Sequence, residues 1–174
     1  NASLIHSLKF EDEHEVCEIP ADRLVNPARF DVLIKYLYAE SYRQGYDLNF
    51  AIEVYGEHLK VWGDIVEGDL TGKDSLEKYI EAFNQLLDGF SKDGFKHDES
   101  YLPVGNNGII IDGAHRSAAC LVYNSKPHVA HFNHTEAVMM SSSSVSILHA
   151  CMEDSQVGFV IDLPRACGND RDKG

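Results

Sequence analysis

Within six residues, Asp112-Gly113-Ala114-His115-Arg116-Ser117 brings together a carboxylate, a permissive backbone position, an imidazole and a guanidinium. The run stands between apolar Ile109-Ile110-Ile111 and the small-residue stretch 117–121, so it is read as the junction between a buried strand and a helix. Gly105-Asn106-Asn107-Gly108, ahead of it, has the residues of a tight turn. A helix start leaves backbone N–H groups unpaired and carries the positive end of the helix dipole. Gly113 lets a ligand approach the main chain, Arg116 can fork onto phosphate oxygens, and His115 adds a donor whose charge can respond to the ligand. Asp112, Gly113, Ala114, His115, Arg116 and Ser117 are therefore read as a phosphate-binding turn. Asp112 is also the first candidate to hold a nucleotide-bound Mg2+, a role compatible with capping the turn.

A second polar group lies far away in the chain. Residues 30–42 have helical spacing, with Leu33, Tyr36 and Leu37 on one side. Residues three and four apart meet on a helix, so Arg29, Asp31, Lys35 and Tyr38 can form one cluster. One reading is an amphipathic helix with an Asp31–Lys35 surface pair. The other makes Asp31 a general base beside a bound nucleotide, with Arg29, Lys35 and Tyr38 on the acceptor side.

The elements that must position these groups are mainly helical. Residues 48–62 suit a helix with Phe50, Ile52, Val54, Tyr55 and Leu59 inward and with His58 and Lys60 in solvent. Asp74 can cap a third helix, with Glu77 three residues on, a stripe of Leu76, Tyr79, Ile80, Phe83, Leu86, Leu87 and Phe90, and Gly94 at its end. These helices form an insertion of about residues 36–94, packed on a small sheet as a wall or lid over the phosphate turn. Tyr38, His58, Lys73 and Lys96 are acceptor-side candidates or ordinary surface residues. His128, His131 and His134 look like metal-ligand spacing, but residues 127–132 suit a strand, on which positions three apart face opposite ways. Residues 1–135 then make one domain and 136–174 a Ser-rich and acidic tail, in which 157–163 could be a strand.

Asp112-Gly113-Ala114-His115-Arg116, followed by Ala118 and Ala119, resembles the nucleotide-binding box of the ParB/sulfiredoxin superfamily. Ile19-Pro20-Ala21-Asp22-Arg23-Leu24 with Pro27 resembles that superfamily's opening strand and the segment after it, and Leu102-Pro103-Val104 resembles the strand before the box. The resemblance spans roughly residues 15–133, with a large interruption. It implies an α+β fold with a small mixed sheet, and nucleotide phosphates bound at the Gly…His-Arg turn. Sulfiredoxins carry a catalytic cysteine where this chain has Ala114, and partition proteins follow the box with a helix-turn-helix that has no counterpart here. The free-serine kinase branch remains closest. Its acidic residue follows the early segment, which by position implies Asp31 as the catalytic base, with His115 beside it.

Composition is consistent with one globular domain: 44% hydrophobic and 25% charged residues leave no sign of global disorder. No apolar run approaches the roughly 20 residues that span a bilayer. A net charge of −13 disfavours nucleic acid as the main partner, because such binding needs Lys and Arg to neutralise phosphates. Cys17, Cys120, Cys151 and Cys167 have no C-x-x-C spacing and read as reduced thiols, which favours a cytoplasmic setting. The first amino acid is Asn1, consistent with a processed or trimmed product, and a removed signal peptide stays open. The expectation is an ATP-dependent, Mg2+-requiring phosphotransferase acting on a hydroxyl of a small polar metabolite, an amino acid or a sugar. The alternatives are a non-catalytic nucleotide-responsive module and, third, a ParB-like nuclease.

Overall fold

The computed structural model describes residues 15–26, 29–61, 73–96 and 100–133. Over these residues the chain is α+β, with four α-helices and a three-stranded mixed sheet. Strand β1 (Val16–Glu18) leads through a 3-10 turn (Ala21–Leu24) to α1 (Phe30–Gln44), α2 (Asn49–Val61) and α3 (Leu76–Asp93). Strand β2 (Leu102–Val104), α4 (Ala114–Tyr123) and β3 (His128–His131) follow. The order in the sheet is β1-β3-β2. β1 runs antiparallel to β3 with Cys17 opposite Val129, and β2 runs parallel to β3 with Pro103 opposite Ala130. The parallel pair requires a crossover, and α4 supplies it.

Between β2 and α4 the chain makes a turn, with Gly108 N–H donating to Gly105 O at 2.9 Å, and comes back beside β2. Only Ile110 pairs there, as a single bridge to Val104, although Ile111 N–H also donates to Pro103 O at 2.8 Å. The expected strand 109–111 is thus reduced to one buried bridging residue. The return is too short for a ladder, because the left-handed Gly108 precedes it and the left-handed Gly113 soon redirects the chain into α4.

The helices form where expected, but some faces turn differently. On α1 the fully buried residues are Val32, Ile34, Lys35, Tyr38, Ala39 and Ser41, while Leu33, Tyr36 and Leu37 are half-buried. The cause is tertiary: α1 packs against both α4 and α2, so two sides of it are covered. On α3 the stripe holds, with Tyr79, Phe83, Leu87 and Phe90 fully buried. Its cap is Ser75, whose hydroxyl accepts from Lys78 N–H, whereas Asp74 instead pairs with Lys78 at 2.8 Å. Gly94 closes the helix with φ +68°. Of these helices α3 packs on α4 and α2 on α1, and α1 lies along α4, so α1 and α4 form the centre of the fold, α4 also touching the 3-10 turn.

Among the described residues no helix is long and apolar enough to cross a membrane. His134, Cys151, Cys167, Pro27, Trp62 and the tail strand 157–163 lie outside the described residues.

Leu87 has no exposed surface, so Leu87→Ala leaves a cavity in the packing of α3. It should lower the unfolding free energy by about 2–5 kcal/mol in urea titrations. Tyr46→Ala, at an exposed position, should change it by no more than about 0.5 kcal/mol. Equal effects at the two positions would show that α3 is not part of the core.

Candidate functional site

Gly113 caps α4 in the left-handed region, with φ +91° and ψ +31°. A Cβ there would lie 2.5 Å from Leu102 Cδ2 and 3.0 Å from Arg116 Nη2, so both conformation and space require glycine. The first main-chain bond of the helix start is Ser117 N–H to Gly113 O at 2.9 Å, and no side chain caps the end. The N–H groups of Ala114, His115 and Arg116 precede that bond, as at any helix start, and form the kind of cradle that accepts an anion.

The side chains of the turn take distinct positions. Arg116 folds back over Gly113: its Nη1 donates to Ser100 Oγ and to Tyr101 O (3.1 Å), and its Nη2 lies 3.9 Å from Asp112 Oδ2. The guanidinium is anchored, yet it and Asp112 keep solvent contact. Ser117 is different. It is fully buried, and its hydroxyl donates to Gly113 O at 3.0 Å, so it braces the turn from inside and does not face a ligand. Ala114 is buried too, and what it brings to the turn is its main chain.

The half-buried His115 ring packs against an aromatic cluster. Its Nε2 lies 2.6 Å from Tyr55 Oη, and its ring meets Phe83 edge-on at 4.7 Å between centroids. Burial, with the charges of Lys35 and Lys73, holds its pKa well below the ordinary histidine value, so the ring is neutral at pH 7. Tyr38 stacks on Phe83 at 5.4 Å and donates its hydroxyl to Asn84 Oδ1 at 2.8 Å. It has no exposed surface. Tyr38 is therefore a core residue of this cluster, neither a surface group nor an acceptor contact, because α1 turns it toward α2 and α3.

Behind the turn, Arg29 grips Asp31 with two bonds, Nε to Oδ1 at 2.8 Å and Nη2 to Oδ2 at 2.7 Å. Its remaining Nη1 donates to Ile110 O, in the segment that leads into the box. Lys35 Nζ lies 3.7 Å from Asp31 Oδ2. The Asp31–Lys35 pair is not a surface pair: side-chain exposure is 16% and 8%. Burial alone would raise the Asp31 carboxyl, but the bonds from Arg29 and the charges of Lys35 and Arg29 outweigh it and hold it well below the usual carboxylate range. Asp31 is thus ionised at neutral pH, weakly basic and engaged through both oxygens.

No family model, curated protein or solved structure matches this chain. The site must therefore be read from its own geometry. The structure brings Asp31, Arg29, Lys35 and His115 into one region, the two sequence clusters being joined through Ile110 O and through the field of Lys35 and Asp31 on His115. Lys73 lies over the Tyr79 ring at 5.1 Å, and Lys96 pairs with Asp93 at 3.9 Å. Among the described residues no cluster of His, Cys, Asp or Glu has metal-site geometry. His128 and His131 lie on β3, where His131 Nε2 approaches Cys17 Sγ at 3.7 Å.

The hydroxyl contact of Tyr55 escaped sequence reasoning, and so did the burial of His58. Tyr55 reads as one more apolar residue on α2, and only the fold shows its hydroxyl on His115. His58, expected in solvent, is buried. Burial and then the charge of Lys35 push its pKa down to about 4. The nearest signal for either was an imidazole or phenol on an otherwise apolar helix face, which is a weak one.

Gly113→Ala should cost more stability than Gly45→Ala. Both have φ in the left-handed region, worth about 1–2 kcal/mol, but a Cβ at Gly45 meets nothing within 4 Å. Equal losses in denaturant titrations would mean that Leu102 and Arg116 yield without cost.

A pH dependence also follows. Below the ordinary value of 6.5 the unfolded chain protonates His58, while the folded chain resists until about pH 4. Stability is therefore full above pH 6.5 and falls through that window, with His115 contributing in the same direction. Asp31 acts only at more acidic pH, its contribution being present above its ordinary value of 3.8 and lost below it. His58→Gln should flatten the loss between pH 6.5 and 4, by up to about 3 kcal/mol. An unchanged slope in stability against pH would place that titration elsewhere.

Proposed function

We propose that the chain binds MgATP, or a related nucleotide, at the turn 112–116 and transfers a phosphoryl group to a hydroxyl of a small polar metabolite, an amino acid or sugar, in the cytoplasm. The observation that carries this reading is the uncapped start of α4, where left-handed Gly113 sets the turn and the Arg116 guanidinium is anchored beside it. Main-chain N–H groups and Arg116 would hold phosphate oxygens, and neutral His115 would add a donor. Asp112, at the solvent edge beside Arg116, would hold Mg2+, which would offset the charge of the phosphates. The free thiols of Cys17 and Cys120, the latter pushed up to about 12 by burial, support a reducing compartment.

In the transfer the bond from the terminal phosphorus to the bridging oxygen of the nucleotide breaks as the acceptor oxygen attaches, and the acceptor proton leaves to a base or to water. Phosphoryl transfer runs through a loose transition state, in which positioning and charge stabilisation matter more than early deprotonation. A weakly basic Asp31 fits that chemistry if it orients the acceptor hydroxyl. The engagement of both its oxygens by Arg29 favours a second reading, in which occupancy of the turn tightens the α1–box connection and changes a partner surface without turnover.

Isothermal titration with ATP, ADP and CTP in Mg2+ tests both readings. Arg116→Ala should weaken binding by about 10- to 100-fold while the unfolding temperature changes little. Unchanged affinity would sink the phosphate-site assignment. ADP release on addition of small hydroxyl compounds, lost in Asp31→Asn with binding retained, distinguishes a kinase. Binding without turnover of any acceptor leaves the non-catalytic module.

A further inference from the structure

His115 is the only residue of the box turn that turns inward among aromatic rings, and its inner nitrogen is already taken. Tyr55 Oη lies 2.6 Å from His115 Nε2, and Tyr55 itself has no exposed surface. Its ring is 5.9 Å from both the His115 and Tyr38 rings, and Phe83 meets the imidazole edge-on. The imidazole can therefore not swing freely. The charged and titratable groups that face it are Asp31 and Lys35 from α1, His58 and Tyr55 from α2, and Lys73 ahead of α3.

In a neutral imidazole one nitrogen carries the proton and the other accepts. An unprotonated imidazole nitrogen is a much stronger acceptor than a phenol oxygen, and a phenol O–H is a good donor. The close contact is therefore best made with Tyr55 O–H donating to Nε2, which places the ring proton on Nδ1. Nδ1 is the ring nitrogen nearer the main chain of His115 itself, in the first turn of α4.

We propose that Tyr55 is a positioning residue that locks His115 as the Nδ1–H tautomer, so that the box presents a neutral N–H donor to phosphate in place of an acceptor lone pair. The inference deepens the nucleotide reading and rests on it for the identity of the anion. An acceptor nitrogen turned toward a phosphate oxygen would repel it, whereas an N–H adds one more hydrogen bond. The helical insertion thereby acts on the phosphate site through a single hydroxyl, without touching the ligand.

The test combines a ring spectrum of the free chain with a titration. Histidine nitrogens are labelled with 15N and the ring correlations recorded at pH 7.5, the His115 signals being assigned by their loss in His115→Gln. Wild type should show an unprotonated Nε2 and a protonated Nδ1. Tyr55→Phe should move the ring toward the Nε2–H form and weaken MgATP by about 3- to 10-fold. Tyr38→Phe removes a hydroxyl from the same aromatic stack, one bonded to Asn84, and should leave the His115 signals in place. A wild-type Nε2–H tautomer, or ring signals unmoved by Tyr55→Phe, would overturn the proposal. A tautomer change with unaltered MgATP affinity would overturn the donor role. Wild type that binds no MgATP would defeat the nucleotide reading, while the spectrum of the free chain still decides whether Tyr55 holds the ring.

Discussion

Arg29 is the joint on which the site depends. Three of its guanidinium nitrogens are used: two on the Asp31 carboxylate at the first turn of α1, and one on the carbonyl of Ile110 just ahead of the box. The residue is 8% exposed, so its charge has been taken out of water and must be met by those partners. A buried ion pair of this kind adds little net stability compared with an apolar contact, but removing one member leaves an uncompensated buried charge. What the pair does supply is direction. A planar fork with fixed donor angles sets where the return segment of β2 lies relative to α1, and the position of that segment decides where Gly113 begins α4. Asp31 is then as much the holder of Arg29 as a group available to chemistry.

From that joint the remaining geometry follows in sequence. Ile110 makes the single bridge to Val104, Gly113 turns in the left-handed region over Leu102, and α4 starts with its N–H groups ahead of the first bond at Ser117. Ser117 closes the turn from beneath and Arg116 from above. His115, between them, is directed inward, where Phe83 and Tyr55 receive it. The polar side chains of the box thus differ in partners: Arg116 and Asp112 reach solvent, and the half-buried imidazole lies between Tyr55 and Phe83, where desolvation and the charges of Lys35 and Lys73 keep it neutral. That difference is what allows one short turn to offer both a permanent charge and an uncharged donor.

The turn into α4 was legible in the sequence because its signals are local. A glycine that must adopt positive φ, a run of small residues after it and a tight turn before it can be recognised without knowing what packs on them. The helices were legible for the same reason, through periodicity and, for α3, through Gly94. What could not be read was the direction in which each face points. α1 is covered on two sides, so its buried residues include Lys35 and Tyr38, and His58 is drawn inward where a surface position was expected. The 109–111 strand failed because β propensity does not specify how soon the chain turns away, here between left-handed Gly108 and Gly113. Tyr55 looks like any other core aromatic until α2 is placed beside α4, and the role of Arg29 depends on a carbonyl 81 residues away.

Charge distribution gives the last constraint on what the site can hold. The chain as a whole carries −13, which repels an extended polyanion over the distances at which it would approach. Repulsion between exposed charges fades beyond a screening length of about 8 Å at physiological ionic strength, whereas hydrogen bonds from main-chain N–H groups and a guanidinium act at contact. A compact ligand with a few phosphate oxygens meets only the local donors at the start of α4, with the cations of Lys35 and Lys73 close enough to lower the pKa of His115. A long nucleic acid would have to lay the rest of its backbone along an acidic protein. The same arithmetic makes a divalent cation useful: Mg2+ lowers the charge that a nucleotide carries into this field and gives Asp112 an attractive partner where a bare phosphate would be repelled. On the nucleotide reading, local donors within an acidic chain would thus favour a small, metal-neutralised anion over a long polyanion.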